Sequence, residues 1–327
     1  MSTPRGRSAW LSALPRVRLV YAVLAIVVVA VGFTAYAVGT GGSSPADVVR
    51  SYLAALSRAD AGAALALGDA PADRTMLTDD VLRQQQSLAP ISAVRVLDSR
   101  TGAGGAVVRV RYRIGTQAVT DDVEVLRRGS GWVLNHVAVD VELSAPTSLP
   151  KPTVFGVTVP AGGDIYVFPG MVQFGSADAA FALAPATAVF SNPDVPAMAS
   201  PTPVLSGTGR AMLTKVITAA MTQCARSRSL QPAGCPQHAS RPAVRGLITG
   251  SLRWHAPHQY GDLNITDITV DSRSSGLVHV SGPLTWRLTY SVRPAHAKRA
   301  VTRSRSVRTT VTATVDFSAS PPTVRLG

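Results

Sequence analysis

Apolar and polar positions follow several different spacings along this chain, and each spacing predicts a different element. The longest apolar run, residues 19–38, is twenty residues without a charge. At roughly 1.5 Å per residue it is long enough to cross about 30 Å of hydrocarbon as a helix. Arg5, Arg7, Arg16 and Arg18 precede it with no acid among them, so residues 1–18 are expected on the cytoplasmic side and residues 39–327 outside. A cleaved signal peptide is the competing reading, since Ala35, Tyr36 and Ala37 give small residues at the right spacing. Secretory apolar regions run roughly 7 to 15 residues, and this one is longer, which favours an uncleaved anchor. No lipobox cysteine lies nearby.

Helical spacing returns after the anchor. Val48, Val49, Tyr52, Leu53 and Leu56 share one face of a predicted helix over 47–56. Asp60 and Gly68 can start and stop a second, and Thr78 can cap a third that Pro90 closes. The period then switches to two, predicting strands at 91–98, 106–114, 119–126 and 131–143. In the second of these Val108, Val110, Tyr112 and Ile114 share one face and Arg109, Arg111 and Arg113 the other, as in a half-buried antiparallel sheet.

Prolines at 146, 150 and 152, and at 193, 196, 201 and 203, mark two seams that read as extended spacers. Between them, residues 153–190 form a small β module too short to bury much core of its own, and 191–207 reads as a Pro-rich linker. In the last part, Leu213, Val216, Ile217, Ala220, Met221 and Cys224 make one apolar helical stripe. Strands are predicted at 243–254, 263–271, 277–292 and 307–317, with Gly282 and Pro283 as a bulge or bend. The predicted fold class is therefore α+β: a transmembrane helix, then helix-plus-curved-antiparallel-sheet domains over 45–143 and 208–327, separated by the small β module.

Composition adds a compartment. Three lysines stand against 29 arginines, with abundant Ala, Val and Gly, the usage of a GC-rich bacterial genome, so an actinobacterial-type envelope protein is expected. Cys224 and Cys235 lie in the exterior part, where a bridge is permitted; loop closure at that spacing stabilises by roughly 3 kcal/mol. They lack the Cys-x-x-Cys spacing of a redox motif and the further ligands that zinc requires, so no metal or other cofactor is expected.

The net charge of +13 is unevenly spread: residues 208–327 carry 16 basic groups against four aspartates. Arg293, Lys298, Arg299, Arg303, Arg305 and Arg308 read as a long basic hairpin tip between the last two predicted strands. Its expected partner is anionic, a lipid headgroup or an acidic wall polymer. No aromatic platform interleaves the arginines, which argues against nucleic acid.

Candidate chemistry is sparse. Asp121 is the one carboxylate on the apolar parity of its strand, and Tyr112 shares that parity on the preceding one, so the two make a possible base and hydrogen-bond donor. The plainer reading puts Asp121 near solvent beside Asp122. His136 shares its parity with Asp140 and Glu142 and so faces outward. His255 and His258, with Asp262 nearby, read as incidental loop histidines.

The order of helices then long hairpins, with the turn-then-Trp segment ending in Gly129, Ser130, Gly131, Trp132, Val133 and Leu134, resembles the nuclear-transport-factor-two-like (SnoaL-like) fold. That fold hosts enzymes and inert scaffolds alike. The segment Phe168, Pro169, Gly170, Met171, Val172 is similar to a turn of PEGA-like and carboxypeptidase-regulatory-like modules, which are mostly spacers. One anchor followed by two such cones is similar in layout to scaffold subunits of conjugation and type IV secretion systems and to teicoplanin-resistance-associated membrane proteins. The resemblance implies a non-enzymatic envelope scaffold, sensor or assembly protein, with membrane, envelope proteins or an anionic surface as partners; an oligomer is compatible with it. A pocket enzyme or small-molecule binder using Asp121 and Tyr112 is the rival.

Overall fold

A computed structural model describes residues 44–144, 151–160, 162–256, 267–271, 276–294 and 298–327. The expected head and transmembrane helix, residues 1–18 and 19–38, lie outside the described residues. Among those described, no helix is long and apolar enough to cross a membrane. What is described is mixed α+β with strands predominating.

Helix α1 (Pro45–Ser57) starts where the sequence places its signals. Ser44 caps it, Pro45 fills the first turn, and Asp47 completes a reciprocal capping box. Val48, Val49, Tyr52, Leu53 and Leu56 are all buried. Two shorter helices follow, α2 (Ala61–Leu65), capped by Asp60, and α3 (Asp79–Leu88), capped by Thr78. An antiparallel sheet comes next, in the order β1 (Ile91–Thr101), β2 (Gly105–Ile114), β3 (Gln117–Arg128), β4 (Gly131–Leu134). Along β2 the burial alternates as the sequence pattern requires, Val108, Val110, Tyr112 and Ile114 inward and Val107 and the arginines outward. The inward face and α1 form one core.

The single strand expected over 131–143 is two. After β4 the chain crosses the floor of the core at Val137 and Ala138, and the carbonyl of Val137 accepts the Tyr52 hydroxyl at 2.7 Å instead of joining a ladder. The continuation, β5 (Val139–Leu143), leaves for a different sheet, antiparallel to β8 (Asp164–Val167) and parallel to β12 (Ala197–Ala199).

The middle unit is consequently larger than expected. It is built from β5, β6 (Pro152–Val154), β7 (Val157–Thr158), β8, β9 (Gly170–Ser176), β10 (Phe181–Ala184), β11 (Thr187–Phe190), β12 and β13 (Thr202–Leu205). Residues 191–207 are not a spacer, because β12 pairs with β5 and β13 with β10. Their prolines tolerate this because such strands are three or four residues long and lie at sheet edges. The unit leans on its neighbour as its size demands: Met76 and Val81 of the first unit share its core, and the buried Gln85 amide of α3 donates to the Phe168 carbonyl at 3.0 Å.

Helix α4 (Gly207–Ala225) opens the last unit, capped by Ser206, and buries Leu213, Ile217, Met221 and Cys224. Its sheet holds β14 (Arg253–His255), β15 (Asp267–Val270), β16 (Leu277–Val292), β17 (Val301–Asp316) and β18 (Thr323–Leu326). The strand expected over 243–254 reduces to a 3₁₀ turn (Arg241–Val244) and β14. That expected over 277–292 is matched by β16, whereas the last begins six residues early, at Val301. No bulge marks Gly282 and Pro283, since β16 and β17 pair without a break. The Pro283 nitrogen falls on the other edge of β16, in the gap between the residues that pair with β15 and those that pair with β14.

Candidate functional site

Parity brings Asp121 and Tyr112 together. Asp121 lies five residues into β3, well inside the strand and opposite Val110, while Tyr112 stands opposite Val119, so both point to the core side. The Tyr112 hydroxyl lies 3.0 Å from Asp121 Oδ2 and 2.8 Å from the Ser191 carbonyl, and Ser191 Oγ donates to Asp121 Oδ1 at 3.2 Å. Asp121 is thus half-buried under the 191–194 segment, and the solvent-facing reading is corrected. Burial pushes its carboxyl above the usual range, against the pull of the Tyr112 and Ser191 hydroxyls. Burial and the Asp121 charge push the Tyr112 phenol well up. A protonated Asp121 satisfies the whole group: it donates to Tyr112, which then gives its one proton to the Ser191 carbonyl. A hollow of about 250 Å³ touches Tyr112, but Arg95, Arg111 and Arg113 line it, so it opens on the opposite face of the sheet.

The covering segment follows the edge of β3 that β2 leaves open. Asn192 Nδ2 donates to the Asp122 carbonyl at 3.1 Å, and the Glu124 N–H donates to Asp194 Oδ2 at 2.7 Å. Asp194 Oδ1 meets His136 Nδ1 at 3.0 Å, with the aspartate 8% exposed. Sequence reasoning placed His136 correctly on the outward side but missed Asp194. The one signal available was that Asp194 is the sole charge in residues 191–207.

A raised carboxyl gives a testable sign. Asp121 holds its proton better folded than unfolded, so its unfavourable contribution is absent below the ordinary carboxyl value and sets in as pH rises above it. Asp121→Asn mimics the protonated carboxyl: its amide can donate to the Tyr112 hydroxyl while its oxygen accepts from Ser191 Oγ. Urea unfolding at pH 3.5 and pH 7 should show the variant gaining on the parent at the higher pH, by about 1 kcal/mol. A difference that shrinks as pH rises would contradict the assignment.

Cys224 and Cys235 are bonded, with S–S 2.01 Å. The bridge ties the end of α4 to the loop after it, where the buried Gln237 amide donates to the Cys224 carbonyl at 2.9 Å. His255 belongs to β14 and not to a loop, with Nε2 2.9 Å from Thr289 Oγ1; His258 and Asp262 lie outside the described residues. Among the described residues no three His, Cys, Asp or Glu side chains gather to hold a metal ion.

The basic stretch is the feature that the structure reshapes most. Only Arg293, Lys298 and Arg299 lie beyond the strands; Arg303, Arg305 and Arg308 are on β17, and all six are exposed. Opposite residues of an antiparallel pair share a face. Arg303 and Arg305 therefore share the face of Tyr290 and Leu288, and Arg308, opposite Thr285, lies on the other face with Arg287. From Leu277 to Val315 the chain has no acidic residue at all. The result is a strand pair with cations on both faces, β14 lying along the other edge of β16. No family model, curated protein or solved structure matches the chain.

Proposed function

We propose that this chain is a single-pass, membrane-anchored scaffold of the bacterial cell envelope, non-enzymatic, which holds an anionic partner outside the membrane through its C-terminal sheet. The carrying observation is the pair β16 and β17, which has no acid from Leu277 to Val315 and seven arginine and lysine residues along and between its strands. We read the first and last units as nuclear-transport-factor-two-like cones; helices preceding antiparallel sheets support this in the first and, with a single helix, in the last. On this reading the layout is similar to that of conjugation and type IV secretion scaffolds or teicoplanin-resistance-associated membrane proteins, with the middle unit as a coupler. Against an enzyme stands the Ser191 cover, which already engages the Tyr112 hydroxyl and Asp121 Oδ1, while Tyr112 itself occupies Asp121 Oδ2.

Near a charged surface each basic residue contributes about 1 kcal/mol, attenuated within a Debye length of roughly 8 to 10 Å. Full-length protein in zwitterionic nanodiscs should therefore bind phosphatidylglycerol vesicles or soluble polyglutamate at 50 mM salt and release them by 300 mM. Changing Arg299, Arg303 and Arg305 to Gln should weaken binding by ten- to a hundredfold. Unchanged binding by that triple variant, or no binding of either anion, overturns the reading.

A further inference from the structure

Strand β17 has an open edge. Its register with β16 runs over sixteen residue pairs, from Leu277 opposite Asp316 to Val292 opposite Val301. On its other side β18 covers only Ala313 to Asp316, and the Gly327 N–H reaches the Thr312 carbonyl at 2.8 Å. That bond shows which way the edge faces. Within a strand, residues two apart point their N–H and C=O groups the same way, so Thr302, Ser304, Ser306, Arg308 and Thr310 present theirs outward. Among the described residues no strand pairs with them. The open edge is about 27 Å long at 3.4 Å per residue.

Such edges are normally blunted by shortness, bulges, proline or a covering element. Here the strand is long and proline-free, and its ladder unbroken. What it carries is charge, and the charge selects. A second copy of the chain pairing on this edge would lay its Arg303, Arg305 and Arg308 alongside those of the first, with no acid between 277 and 315 to offset them. An acidic strand meets cations on either face of the sheet, together with Val301, 47% exposed, and the half-exposed Val307.

We infer that the β17 edge is a strand-addition site for an extended, acidic, valine- or threonine-rich segment of a partner protein, held by a main-chain ladder and oriented by the flanking arginines. This rests on the proposed scaffold function and narrows its anionic partner to a polypeptide.

The probe is a capped ten-residue peptide alternating Glu and Val, followed by fluorescence anisotropy against full-length protein in zwitterionic nanodiscs. It should bind, and the same peptide with a fully N-methylated backbone, equal in charge, should bind at least tenfold more weakly. Ser304→Pro and Ser306→Pro each remove an outward N–H without touching the ladder to β16. Each should weaken the parent peptide about tenfold and leave phosphatidylglycerol vesicle binding unchanged. Equal binding of parent and N-methylated peptides would reduce the contact to charge and overturn the inference, as would vesicle binding without peptide binding; in both cases the scaffold reading stands. Self-association of the parent protein that Ser304→Pro abolishes would make a second copy the occupant and likewise overturn it. Binding of neither peptide nor vesicles removes both.

Discussion

Trp286→Ala should cost the C-terminal unit about 3–5 kcal/mol, the range for truncating a fully buried large aromatic. Trp286 is completely buried on β16, and its ring meets Trp254 edge to face with centroids 6.2 Å apart. It packs in a core with Leu213, Ile217 and Met221 of α4, and α4 cannot collapse onto the sheet far enough to fill the void. Domains are stable by about 5–15 kcal/mol, so this loss brings the unit close to unfolding at room temperature. The damage should stay local, because the core of the first unit shares no residue with this one. Hydrogen exchange should show β14 to β18 and α4 losing protection while β1 to β4 retain theirs. Trp286→Phe should be far milder, since the indole N–H it removes is buried without an acceptor among the described residues. A urea midpoint shifted by less than the equivalent of about 1 kcal/mol in the alanine variant would show that this core repacks.

What could be read from sequence was whatever local spacing determines. The capped start of α1, the alternation of β2, the apolar stripe of α4 and the span of β16 are each set by residues within one element. The break between β4 and β5 was not legible, because the apolar pattern runs on through Leu134 to Leu143 and the group that diverts the chain, Tyr52, is 85 residues away. Prolines misled at 191–207 for a related reason: they forbid central strands but not edge pairings of three or four residues, and those depend on partners elsewhere. Residues 301–306 hold one apolar side chain and read as loop, yet the sixteen-residue register imposed by β16 makes them strand. The Asp121 and Tyr112 pair was legible from parity alone. Its burial was not, since the cover comes from Ser191, seventy residues later.

The joint between the middle and last units was equally invisible, and it sets up the second large effect. Gly209 sits in the first turn of α4, and a Cβ there would land on the Ala180 carbonyl oxygen and 2.9 Å from Leu205 Cδ2. The obstacle is backbone, and that backbone is fixed to the helix start: Ser206 N–H donates to the Ala180 carbonyl at 3.0 Å and Ser206 Oγ to the Ala179 carbonyl at 2.6 Å. A methyl group must therefore push α4 off its seat. The shift would stretch both Ser206 bonds and part Leu213 and Ile217 from Phe181 and Leu205, with which they share a core; Phe181 also stacks edge-on with Phe317 at 5.6 Å. Intrinsic helix preference favours alanine over glycine by about 1 kcal/mol, so the two effects oppose each other and the sign is informative. Gly209→Ala should destabilise by about 2–3 kcal/mol, overpacking against fixed backbone exceeding the helical gain. Gly207→Ala, two residues earlier and facing open space, should be neutral or slightly stabilising in the same urea titration. If the two variants unfold alike, α4 is not seated on the Ala179–Ala180 turn. If they diverge as expected, α4 is seated on the Ala179–Ala180 turn through a close backbone contact that only glycine permits.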